Sequence, residues 1–130
     1  MVKSIYLYNS FNIKARHKRS IILIGNFDGL HLGHQKLFTL ANKYKKKYSL
    51  SVGVLTFEPM PKMYFNKDIK NFRISNKKQK MDLLNKFKVD FVIVKKFDKK
   101  FSKIKSINFI KNILKKKLKS KFIFVSNNFR

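Results

Sequence analysis

Short apolar runs alternate with longer lysine-rich stretches along the 130 residues. SIILIG (20–25), LSVGVLTF (50–57), DFVIV (90–94) and KFIFV (121–125) are continuous and rich in β-branched and aromatic residues. That is the pattern of strands buried on both faces. SIYLY (4–8) has the composition of a further short strand. Between these runs the apolar period lengthens. In 33–48, Leu37, Ala41, Tyr44 and Tyr48 form one helical stripe, with Phe38 beside it and lysines opposite. Ser75 is placed to cap a helix over about 76–87, with Met81, Leu84 and Phe87 inward. Ser106 is placed to cap another over about 107–118, where Ile107, Ile110, Leu114 and Leu118 line one face and Ile113 widens it. Both prolines fall in EPMPKMYFNKD (58–68), which excludes regular helix there.

Strands alternating with helices of this length predict an α/β fold of Rossmann-like type, a parallel sheet with flanking helices, in one domain over 1–130. Ligands of such open sheets bind beyond the carboxyl ends of the strands. Three segments leave those ends: GNFDGLHLGH, EPMPKMYF and the terminal SNNFR. They hold the unusual residues of the chain, and the lysine-rich surfaces between them do not.

Composition adds bounds rather than a function. A net charge of +26 invites a nucleic-acid or polyanion partner. The basic residues are nearly all lysine and spread over every segment, whereas base-reading proteins favour the forked arginine. Specific nucleic-acid binding is therefore not expected. Cysteine is absent, which excludes disulfides and thiolate metal sites and fits a cytoplasmic setting. No apolar run approaches the ~20 residues of a membrane span, so no membrane partner is expected.

The candidate chemistry lies in GNFDGLHLGHQ (25–35), which carries two of the three histidines. Gly25 ends a strand where the backbone must turn, and Asp28-Gly29 is a turn pair. Gly33 lies at the start of the first long helix, with His34 in its first turn and His31 just before it. A helix start offers unpaired N–H groups and the positive end of a dipole, which together bind phosphate. Imidazoles there can donate to oxygens on which charge builds up. Two other readings stay open at this point: a metal site, for which Asp28 is the nearest additional ligand, and two structural histidines in a polar loop. His17 lies in a basic segment and is expected to be solvated.

The motif resembles the HxGH nucleotidyltransferases, and with its Phe-Asp-Gly prefix and Gln35 it resembles the bacterial FAD synthetase family. TFEPMP (56–61) is similar to that family's Thr-Phe-Glu-Pro-His-Pro, RISNKKQKMDLL (73–84) to its Arg-Leu-Thr segment, and VDFVIVKKFDKKFSKI (89–104) to its Val-Asp, strand, Phe-Asp, Phe pattern. NNFR (127–130) is similar to its Asp/Asn-Phe-Arg. Met60 stands where the family has His, and Lys88 and Ser126 stand where it has Gly.

The resemblance implies a nucleotidyltransferase fold and an FMN adenylyltransferase, with ATP and FMN as substrates and Mg²⁺ entering with ATP. It implies catalytic roles for His31 and His34, and ATP or phosphate contacts for Gly25, Asn26, Phe27, Asp28, Gly29, Gly33 and Asn128. It also implies a flavin-side loop of Thr56, Phe57, Glu58 and Pro59, and no resident metal. Family members continue past the position of Arg130 with Phe-Gly, a Ser/Thr-rich Arg-containing segment and a riboflavin kinase module. The nucleotide pocket of this chain is accordingly expected to be incomplete. The alternatives are a small basic polyanion-binding α/β domain and a nucleotidyltransferase with another phosphate acceptor.

Overall fold

A computed structural model of the protein describes residues 5–25, 32–58 and 84–126, with side chains in the middle segment described for 35–57. The elements run β1 (Tyr6–Tyr8), a 3₁₀ turn (Ala15–His17), β2 (Ile21–Ile24), α1 (Leu32–Tyr48), β3 (Val52–Glu58), β4 (Phe91–Lys96), α2 (Lys99–Ser102), α3 (Ser106–Asn108), a π-helical stretch (Phe109–Lys117) and β5 (Phe122–Val125). All five strands are parallel, in the order β1-β4-β3-β2-β5. The expected α/β architecture is therefore present, and the short strand at the amino end belongs to the sheet.

Alternation along the strands divides the core into two layers. Ile21, Leu23, Val52, Val54 and Val92 face α1, packing with Phe38, Ala41 and Leu84. Ile22, Ile24, Leu55, Phe57, Phe91 and Ile93 face the other way, onto Phe11, Ile13, Leu114 and Leu118. Of the α1 stripe, Ala41 is fully buried, Leu37 and Tyr44 pack at its margin, and Tyr48 is exposed. Phe38, expected beside the stripe, is at its centre. Leu84 is inward as expected, while Ser75 and Met81 lie outside the described residues.

The last helical segment departs from expectation. Ser106 is its first residue rather than its cap; the cap is Lys105, whose side chain makes no capping bond. From Phe109 the helix is π-wound, and Leu118 N–H donates to Ile113 O, five residues back. Wider winding keeps Phe109, Ile113, Leu114 and Leu118 on the sheet. It turns Ile107 and Ile110, expected inward on a 3.6-residue period, out to 65% and 50% exposure. His17 also departs from expectation. It is 6% exposed, its ring stacked on Phe91 at 4.4 Å and its Nδ1 2.6 Å from Tyr8 Oη.

Helices here end without glycine. Ser49, Lys88 and Lys119 each follow a helical segment with φ of 54°, 61° and 52°. At the first two, Leu50 N–H donates to Lys45 O and Val89 N–H to Leu84 O, both at 3.2 Å. These are Schellman closures, whose left-handed residue is usually Gly. At Lys88 the structure thus accounts for the glycine expected by resemblance. Asp90 then ties β4 to β3 at their amino ends. Its Oδ2 accepts from Val52 N–H at 2.8 Å and from Lys45 Nζ at 3.0 Å.

Candidate phosphate site at the strand carboxyl ends

Strand order reverses between β2 and β5. From β2 the chain moves through β3 to β4 on one side, and β5 is added on the other. The β2–β3 crossover through α1 covers one face of the sheet and the β4–β5 crossover through the π-helical stretch covers the other, so the carboxyl ends of β2 and β5 open a crevice in which ligands of this fold class sit. The pairing runs to the last strand residues, Ile24 opposite Leu55 on one side and Val125 on the other. Gly25 N–H continues it by donating to Leu55 O at 3.1 Å, and Ser126 N–H by donating to Ile24 O at 2.9 Å. The floor of the crevice is thereby held by sheet bonds on both sides of β2.

Leaving Gly25, the chain enters α1 at Leu32, which puts Gly33 and His34 in the first helical turn and His31 immediately before it. Helix start and HxGH sequence coincide as expected. The first turn of this 17-residue helix carries no acidic residue. The dipole of the helix has its positive end there. Asn26, Phe27, Asp28, Gly29, His31, Pro59 and Asn128 lie outside the described residues.

The stretch expected on the flavin side begins at the end of a strand. Thr56, Phe57 and Glu58 belong to β3, paired with Val94, Lys95 and Lys96. A β-branched and aromatic sequence extends the ladder as far as the first proline permits. Phe57 is 2% exposed, its ring among Phe97, Phe101 and Phe109. The Phe-Asp…Phe pattern that follows is architectural. Asp98 caps α2, accepting from Phe101 N–H at 2.8 Å, and Phe97 and Phe101 complete the aromatic cluster.

Two buried hydroxyls lie at this edge: Thr56, expected on the flavin side and found beside Gly25, and Ser126, which stands where the resembled family has Gly and follows β5. Neither type is distinctive in sequence; only strand register brings them to the crevice. Among the described residues no group of three His, Cys, Asp or Glu is arranged to hold a metal ion, and no helix is long and apolar enough to cross a membrane.

The site can be set beside known proteins. A sequence model of the FAD synthetase family matches residues 13–130. The chain is 41% identical over 119 residues to a bifunctional riboflavin kinase/FMN adenylyltransferase of Buchnera aphidicola subsp. Acyrthosiphon pisum, and 35% identical over 117 residues to that of Escherichia coli K12. These matches cover 92% and 90% of this chain but 38% and 37% of the relatives, so the chain spans a little over one third of their length. A crystal structure described as a macrolide-efflux protein from Streptococcus pneumoniae is similar with a TM-score of 0.75 and 27% identity, covering 96% of this chain and 48% of that one.

Proposed function

Since the chain belongs to the FAD synthetase family, we propose that it carries the adenylyl-transfer half of the relatives' named activities, moving AMP from ATP to FMN. In this reading an oxygen of the FMN phosphate attacks the α-phosphorus of ATP in line. The bond between that phosphorus and the α–β bridging oxygen breaks, and FAD and pyrophosphate are the products. Transfer of this kind needs positioning and charge stabilisation more than covalent chemistry from the protein.

The observation that carries the reading is the coincidence of the HxGH stretch with the switch point: α1 begins, with Gly33 and His34 in its first turn, at the crevice between β2 and β5. His31 and His34 are assigned to donate to ATP phosphate oxygens as charge develops, assisted by the N–H groups of the α1 start. Gly25 lets the phosphates approach the backbone. Asn26, Phe27, Asp28, Gly29 and Asn128 are assigned to contacts with ATP or its phosphates. Glu58 and Pro59, where β3 gives way to the proline-containing segment, are assigned to the flavin side. Mg²⁺ is taken to enter on ATP, as part of the substrate.

In the intact protein, His31→Ala and His34→Ala are each expected to lower kcat for FAD formation by at least about tenfold, the low side of the loss of one transition-state donor. Normal turnover in both variants would overturn the assignment.

A further inference from the structure

We propose that the Thr56 hydroxyl is a nucleotide-phosphate contact of this site, an inference that rests on the adenylyl-transfer reading and moves Thr56 from the flavin side to the ATP side. Side chains alternate along β3. Leu55 and Phe57 enter the layer that packs on Leu114 and Leu118, whereas Val52 and Val54 enter the layer beneath α1. Thr56 is the next residue in the row of Val52 and Val54, roughly 7 Å further toward the carboxyl end. It therefore lies on the α1 side of the sheet, at the end where α1 starts.

On β4 it faces Val94, but on the β2 side its neighbour adds no side chain. Ile24 stands opposite Leu55, so one step on Thr56 is flanked by Gly25, which has no side chain. A glycine directly after β2, a helix start with no acidic residue in its first turn and a hydroxyl thus meet at one edge.

Thr56 is 5% exposed, yet its Oγ1 has no hydrogen-bond partner. A buried hydroxyl without a partner is destabilising, and Val would fill the same volume without that cost. In a strand whose neighbours in the row are both Val, the hydroxyl marks a group that finds its partner in the bound state. The positive field of the helix start selects an anionic acceptor, and a phosphate oxygen suits it. Among the described residues the other such hydroxyl, Ser120 Oγ, lies before β5 at the amino edge of the sheet.

Calorimetric titration of the intact protein with ATP and, separately, with FMN tests the assignment. Thr56→Val should weaken ATP binding about tenfold or more, the loss of a hydrogen bond to a charged group. It should leave FMN affinity unchanged and the melting temperature of the ligand-free protein equal or higher. Thr56→Ser, which keeps the hydroxyl, should stay within roughly threefold of wild type for ATP. If Thr56→Val does not fold, Thr56→Ala removes the same hydroxyl without adding bulk and is read in the same way. Unchanged ATP affinity in the hydroxyl-free variant, or lost FMN affinity with ATP affinity kept, overturns the proposal while leaving adenylyl transfer standing. A wild-type protein that binds no ATP overturns both.

Discussion

Gly53→Ala offers a direct test of how the sheet is packed. Three of the four glycines belong to GNFDGLHLGH, and Gly53 is the fourth. It sits inside β3, where glycine weakens a strand unless something lies against it. Here the ring of Phe91 does. A Cβ on residue 53 would fall 2.1, 2.3 and 2.7 Å from ring atoms Cζ, Cε2 and Cε1. Carbon atoms rest at about 3.5–4.0 Å, so the ring would have to retreat by more than about 1 Å. It has little freedom to do so. Phe91 is fully buried, its ring stacked on His17 and edge-on to Tyr8 at 5.9 Å. His17 is itself held by Tyr8 Oη at 2.6 Å and, through its carbonyl, by Ser20 Oγ at 2.6 Å. Overpacking against so constrained a ring should cost about 2–3 kcal/mol, after a small gain from the lower entropy of the unfolded Ala chain. For a domain of this size that corresponds to a fall in Tm of roughly 8–12 °C. Urea denaturation of a double-mutant cycle isolates the contact. In a Phe91→Leu background, which removes the offending ring, Gly53→Ala should cost less than about 1 kcal/mol. Equal costs in the two backgrounds would show that the ring is not what demands glycine.

Lys88→Gly should stabilise the protein. An L-residue pays about 1–2 kcal/mol in the left-handed region, offset in part by the extra freedom of an unfolded glycine, for a net gain of about 0.5–1 kcal/mol. Differential scanning calorimetry should show Tm rising by a few degrees for Lys88→Gly and not for Lys88→Ala; a matching rise in both would refute the left-handed explanation. Asp90→Ala should cost about 2–4 kcal/mol in urea titrations, because it leaves buried Val52 N–H without its side-chain acceptor and Lys45 without its ion partner. Lys45→Ala should cost less, as Lys45 is partly exposed. A larger loss for Lys45→Ala than for Asp90→Ala would contradict this account of the tie between β3 and β4.

The alternation of apolar runs with helical stretches was enough, read alone, to determine the class of fold, the five strands in their order along the chain and the start of α1 at Gly33-His34. Strand burial and helix amphipathicity are local periodicities, and glycine and histidine clustering is visible without coordinates. Residue types in the HxGH stretch likewise pointed to phosphate before any neighbour was known. What the sequence could not determine depends on partners distant along the chain. His17 reads as a solvated residue in a basic run, yet Tyr8 and Phe91 close over it. Ile107 and Ile110 read as core on a 3.6-residue period, yet π winding turns them outward while Leu114 and Leu118 stay on the sheet. Thr56 and Phe57 read as consecutive residues at the end of one strand, both assigned to the flavin side. Only the pleat, which sends successive side chains to opposite faces, separates them. It places Phe57 in the aromatic layer and the Thr56 hydroxyl on the side where α1 begins, and that choice of face is a property of the assembled sheet.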